Sequence, residues 1–249
     1  ALIGVLGALA LARSLDFRAQ PHPDLLRGKL AHAFEGHYDA RFPIRQLGVN
    51  LWAAIDYALF DEGRQGVVVG RHGWLYTGQE FDLAEDAQQQ LGRNLALIGW
   101  VQRQLARDHV ALLVALIPAK ARVYPEDLGG KRPPRLRREL YARVLDALNR
   151  DDIDNVGLLA PLREGKRNGA TFLRTDTHWS VRGARLAAQA IAAHAGDFAR
   201  GDETFVTRRD GTAVHRGDLF NFLPLDPWFG WLLPPEERVP QVHTAAAGN

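Results

Sequence analysis

Val110 to Ile117 is an unbroken run of eight apolar residues closed by Pro118. A run of that length, with no polar alternation, predicts a strand covered on both faces, as in a parallel sheet. Helical stripes stand on either side of it. Leu91, Leu95, Ile98 and Leu105 precede it, and Leu136, Leu140, Val144 and Leu148 follow the Pro133-Pro134 break. Ile153 to Leu159 reads as a second strand. Ala170 to Leu173 leads into a polar element, and Ala184, Ala187, Ala188 and Ile191 build the next helix. This βαβα alternation predicts a doubly wound or related three-layer α/β domain.

Ahead of that domain the pattern is helical. Ala1 to Ala12 contains only Ala, Leu, Ile, Val and Gly, and Arg13 ends it. Twelve residues fall short of the roughly twenty that span a bilayer. The stretch is expected to be the tail of a signal peptide or membrane anchor, the alternative being a buried N-terminal helix. Pro21 and Pro23 mark a boundary. Leu25, Leu26, Leu30 and Phe34 follow helical spacing up to Pro43, and Asn50 is expected to cap a helix carrying Leu51, Ile55, Leu59 and Phe60. Val67-Val68-Val69 and Trp74-Leu75-Tyr76 flank a glycine-bounded turn, which predicts a hairpin. Beyond about residue 201 periodicity fades. Aromatic residues and prolines crowd 217–235 as a lid or a core segment, and 241–249 is expected to end without a closing strand.

Composition removes several classes of function. The net charge is +2, and no Lys/Arg stripe is interleaved with aromatic residues, which argues against nucleic acid. The absence of cysteine excludes disulfides, thiolate metal sites and a cysteine nucleophile. Gly129-Gly130-Lys131-Arg132 lacks the spacing of a nucleotide-binding loop.

The chemistry concentrates in Asp176-Thr177-His178-Trp179-Ser180. Histidine can take a proton near neutral pH, and a carboxylate two residues away can fix its tautomer and steady the imidazolium. Asp176 and His178 are therefore the candidate catalytic pair, although a structural hydrogen bond fits the same spacing. No second histidine pair accompanies them, so no metal is expected. The chain holds only two serines. Ser14 abuts the apolar start, and Ser180 directly precedes a helical pattern, where serine serves as a cap. Lys120, Arg122 and Tyr124 follow the strand ending at Pro118. Lys120 and Tyr124 are candidate substrate contacts, as is Trp179, whose ring could stack on a sugar, as Trp74 could.

The segments Gly70-Arg71-His72-Gly73-Trp74-Leu75-Tyr76, Ile117-Pro118-Ala119-Lys120, Val123-Tyr124-Pro125-Glu126 and Asp176-Thr177-His178-Trp179 occur in that order. Together with Phe34-Glu35 and Phe42-Pro43-Ile44-Arg45, they resemble the alginate O-acetyltransferase family of the AlgX/AlgJ type. The resemblance covers about residues 28–249. It implies a three-layer SGNH-hydrolase-like α/β domain with a central, mainly parallel sheet, preceded by an N-terminal helical segment. With the residue patterns above, the expected organisation is a remnant of signal peptide or anchor at 1–20, a helical region at 21–66 and, as the resemblance implies, an acetyltransferase domain from 67 whose C-terminal part lies past residue 249. The implied chemistry is a Ser-His-Asp triad that needs no cofactor. It transfers acetyl groups in the periplasm from a membrane-bound acyltransferase to a polysaccharide. In the family the serine follows a further strand in a Gly-x-Ser element, which places it beyond Asn249. A carbohydrate acetylesterase and a non-catalytic polysaccharide-binding or assembly protein are the alternatives.

Overall fold

Val67–Val69 (β1) and Leu75–Thr77 (β2) pair antiparallel, Val68 opposite Tyr76, and form the hairpin expected from the sequence. Its turn carries His72 at φ 55° and Gly73 at φ 74°, two consecutive left-handed residues of the kind that suits a tight reversal. The computed structural model describes residues 2–18, 28–42, 45–196, 201 and 203–247. The Pro21/Pro23 boundary, Leu25, Leu26, Pro43 and the last two residues lie outside them.

The chain divides into two units, one of 1–60 with 224–232 and one of 61–223 with 233–249. The first contains α1 (Leu2–Arg13), α2 (Lys29–Arg41) and α3 (Arg45–Phe60). Tyr38 of α2 donates its hydroxyl to the Gly7 carbonyl of α1 at 3.2 Å, and Phe17 meets Phe34 edge-on at 5.3 Å. On α1, Val5 and Leu11 are exposed and Ala10 is buried. Among the described residues no helix is long and apolar enough to cross a membrane. Asn50 does not cap α3. The helix starts five residues earlier, and Asn50 is buried within it, accepting from Gln46 at 3.1 Å and donating to the Pro224 carbonyl. The same buried amide that would suit a cap instead satisfies a distant carbonyl.

In the second unit, α4 (Ala87–Arg107) leads to β3 (Val114–Leu116), and α6 (Arg135–Arg150) leads to β4 (Asn155–Gly157). Between them lies the short α5 (Lys120–Val123). β3 and β4 are parallel, Ala115 opposite Val156. The strand is shorter and less covered than the apolar run predicts, with Val110 and Ile117 about half exposed. Among the described residues β3 pairs with β4 alone. The remaining helices are α7 (Leu159–Gly165) and α8 (Val181–His194). Tyr76, Val123, Leu158, Leu162, Phe172 and Ala187 meet in one core, which ties the hairpin to α5, α7 and α8. Each large apolar side chain buried there contributes about 1.5–3 kcal/mol.

The C-terminal region departs most from expectation. Phe205–His215 (β5) and Glu237–Ala246 (β6) form a long antiparallel ribbon running from Phe205↔Ala246 to His215↔Glu237, with a bulge at Asp210. Residues 237–246 thus supply a strand where none was expected. The aromatic-rich segment is neither one lid nor one core: Phe220 is buried in the second unit, whereas Trp228 and Trp231 of the first are exposed.

Candidate active site

Residues 171–180 form a loop that closes on itself. Phe172 and Trp179 make an isolated antiparallel bridge, Leu173 N–H donates to the His178 carbonyl, and Ser180 N–H donates to the Thr171 carbonyl, both at 3.0 Å. The apolar run Ala170–Leu173 that leads into the polar element makes only this isolated bridge and belongs to none of the named strands. Its backbone pairs only locally, and Phe172 goes into the core. Ser180 caps α8, accepting from Gly183 N–H at 3.1 Å and donating to the Ala170 carbonyl at 2.6 Å. Ser14 is buried with its hydroxyl on the Ala10 carbonyl.

Asp176 and His178 are brought together. His178 Nδ1 lies 2.6 Å from Asp176 Oδ1, and the His178 backbone N–H donates to the same oxygen at 2.9 Å. Asp176 Oδ2 accepts from His215 Nε2 at 2.7 Å and from Asp218 N–H at 3.1 Å. Burial pushes the Asp176 carboxyl up. The bonds from His178, His215 and the Asp218 backbone outweigh it and hold the group well below the usual carboxylate range. An ionised Asp176 can only accept, so both rings donate to it. The His178 side chain is 75% exposed, and with Nδ1 donating to Asp176, Nε2 is the ring atom that can accept a proton.

Lys120 stands behind this pair. Only 2% exposed, it donates Nζ to the carbonyls of Leu75, Arg174 and Asp176 at 2.6, 2.8 and 2.9 Å. An ammonium has three N–H groups, and each finds an acceptor. Burial pulls Lys120 down to about 7, with Glu80, Glu237, Asp176 and Asp218 opposing the shift. Glu80 in turn accepts from the backbone N–H groups of Lys120 and Ala121 at the start of α5. Tyr124 is buried as well. Its hydroxyl accepts from Thr171 N–H at 2.8 Å, and its ring stacks on Trp74 at 4.0 Å. Trp179 is partly buried against the same core. Of the three residues suggested as substrate contacts, Lys120 and Tyr124 are buried with their polar atoms on protein partners.

Sequence reasoning missed His215, Asp218 and Glu237. The Glu237 carboxylate accepts from Arg174 N–H and Thr175 N–H, both at 3.0 Å, and Asp218 Oδ1 accepts from Thr177 N–H at 2.9 Å. No local pattern marks them, because they come 39–63 residues after the loop residues they hold. The Gly217-Asp218 pair opening the helical turn Asp218–Phe222 was the only hint. Asp176, His178 and Asp218 bring three possible ligand atoms within 4.8 Å of one another. Two protein donors bind each oxygen of Asp176 and one binds each oxygen of Asp218, which is the bonding of an oriented imidazole.

The model of the family described as "SGNH hydrolase-like domain, acetyltransferase AlgX" matches residues 67–249. A protein of Pseudomonas aeruginosa called "Probable alginate O-acetylase AlgJ" is 50% identical over 249 residues, covering 99% of this chain and 63% of that protein. The chain thus spans less than two thirds of that relative's length. The solved O-acetyltransferase domain of Pseudomonas putida AlgJ is 40% identical, with a TM-score of 0.71 over 74% of this chain and 67% of that one. AlgX of Pseudomonas aeruginosa matches at 19% identity with a TM-score of 0.52, over 85% of this chain and 49% of that one, and shares the fold.

Proposed function

Because this chain belongs to the AlgX acetyltransferase family of SGNH hydrolase-like domains, we propose that it helps move acetyl groups onto the hydroxyls of an alginate-like exopolysaccharide. The observation that carries the reading is the His178 ring, tied at Nδ1 to a buried Asp176 while the side chain is largely exposed. That is the geometry of a general base held in one tautomer.

In this reading the nucleophile is a serine outside residues 1–249, since Ser14 is buried on a carbonyl and Ser180 caps α8. Nε2 of His178 takes the serine Oγ proton as Oγ bonds to the acetyl carbon. The proton then passes to the departing donor group, leaving an acetyl-serine. A sugar hydroxyl next gives its proton to Nε2 and attacks the same carbon. The acetyl moves to the sugar, and the proton returns to serine Oγ. The donor is a membrane-bound acyltransferase and the compartment the periplasm, both carried from the family resemblance. The finer architecture, a central and mainly parallel sheet between helical layers, belongs to the same proposal, and the parallel β3–β4 pair supports it.

The test is incubation of the full-length gene product with an acetyl ester and an oligouronate, followed by mass spectrometry of the sugar. Acetylated sugar with the wild type and none with His178→Ala supports the proposal. Free acetate alone would make the protein an esterase. Polysaccharide binding without any turnover would make it an assembly protein.

A further inference from the structure

Asp176 serves two imidazoles. Its Oδ1 accepts from His178 Nδ1 at 2.6 Å, and its Oδ2 accepts from His215 Nε2 at 2.7 Å. The first bond suffices to set the tautomer of His178. It does not fix the plane of the carboxylate, because the terminal torsion of aspartate is broad and roughly two-fold. A carboxylate held by one oxygen can swing, and the ring it orients swings with it. Two donors on the other oxygen remove that freedom, Asp218 N–H at 3.1 Å and His215 Nε2 at 2.7 Å, and the His215 bond is the shorter.

The fold delivers that donor from a separate element. His215 ends β5 opposite Glu237, the first residue of β6. Glu237 grips Arg174 N–H and Thr175 N–H, and Asp218 N–H adds a second bond to Asp176 Oδ2. The root of the ribbon therefore holds the loop at its backbone and at its functional carboxylate together. The carboxylate on the His215 ring is that of Asp176; Glu237 is its register partner across the ribbon, and Asp218 follows three residues later. Arg216, beside it in sequence, pairs with Glu236 at 3.7 Å.

We infer that His215 is a positioning residue of the site: its Nε2–H fixes the Asp176 carboxylate in the plane that holds His178 Nδ1, and it acts through Asp176 rather than on substrate. Its consequence for rate rests on the acetyl-transfer reading above. Its consequence for the geometry of His178 does not.

The test compares His215→Leu, which removes the donor, with His215→Gln, whose amide N–H reaches to nearly the same place without a titrating ring. The proteins are full-length and labelled with nitrogen-15 histidine. In His215→Leu, kcat for acetyl transfer falls about ten- to a hundredfold, as for other outer partners of an oriented histidine. KM stays within about twofold, because no substrate contact is lost. His215→Gln recovers kcat to within about threefold of wild type, since the donor is restored. In parallel, the downfield His178 Nδ1–H resonance broadens in the leucine variant and returns in the glutamine variant. An unchanged resonance and kcat in His215→Leu overturn the inference. So does a folded His215→Gln that behaves like the leucine variant, because the ring's shape rather than its donor would then matter. If wild type transfers no acetyl group, the functional reading fails, and the resonance alone decides the positioning role.

Discussion

Lys120 Nζ donates to the backbone carbonyl of Asp176 at 2.9 Å, while the side chain of that aspartate holds His178. The two bonds grip one residue at both ends. The same ammonium also binds Leu75 of the hairpin and Arg174 of the loop, so hairpin, loop and α5 meet on a single buried charge. Lysine is costly to bury. What offsets the cost is one acceptor for every N–H and the carboxylates nearby.

Lys120→Met should therefore strand three buried carbonyls. Each costs about 1–3 kcal/mol, partly offset by relief of the buried charge, so a net loss of about 2–4 kcal/mol is expected in urea unfolding. The effect has a sign with pH. The folded-state value is lowered from 10.5 to about 7, so between those pH values the unfolded chain holds a proton that the folded chain does not. Unfolding free energy then rises with pH by about 1.4 kcal/mol per unit from this group. The wild-type advantage over Lys120→Met should widen from pH 7 to pH 9, and a narrowing gap would contradict the assignment.

Asp176→Asn keeps the shape but turns one acceptor into a donor facing a ring N–H. On the proposed function, acetyl transfer should fall by about a thousandfold or more, as in Ser-His-Asp enzymes that lose the orienting carboxylate. Because the folded-state value of Asp176 is lowered, the stability it adds is complete above the ordinary value of 3.8 and is lost as pH falls through the lower one. Thermal unfolding of wild type and variant should converge as pH drops below that value.

Glu237→Gln should loosen the loop without touching the Asp176–His178 bond. An amide cannot accept at both ends from Arg174 N–H and Thr175 N–H, so a cost of about 1–3 kcal/mol is expected. Hydrogen exchange should quicken at those two amides, while those of α6 stay protected.

A Cβ on Gly217 would run into the Thr175 carbonyl, a backbone atom that cannot swing aside. Gly217→Ala should cost about 1–3 kcal/mol and shift Asp218 N–H off Asp176. Gly92→Ala on α4 is the control: no atom lies within 4 Å, and removing helical glycine should stabilise by about 0.5–1 kcal/mol.

Elements whose residues act over short spans were legible in the sequence. The β1–β2 hairpin announced itself through two β-prone runs around glycine, α6 through its apolar stripe, and Asp176–His178 through a separation of two residues. Ser180 read correctly as a cap for the same reason. The ribbon did not show, because nearly every residue of β5 is exposed, which erases the alternation that a half-buried strand displays. His215 and Glu237 were invisible because their value comes from a loop 39 and 62 residues away. Lys120 was noticed but aimed the wrong way. Sequence gives a charge, and only packing decides which side of the chain it serves.

The bulge at Asp210 makes the site depend on counting. Side chains along a strand alternate faces, so the number of residues between the bulge and the ribbon root decides whether His215 turns toward Asp176 or away from it. Deleting one residue between Gly211 and Val214 would leave the composition nearly unchanged and every grip on the loop with its donors and acceptors still encoded. It would nonetheless reverse the parity of the strand and carry the imidazole to the opposite side. The ribbon is in this sense a ruler, and the active loop is set at one of its graduations.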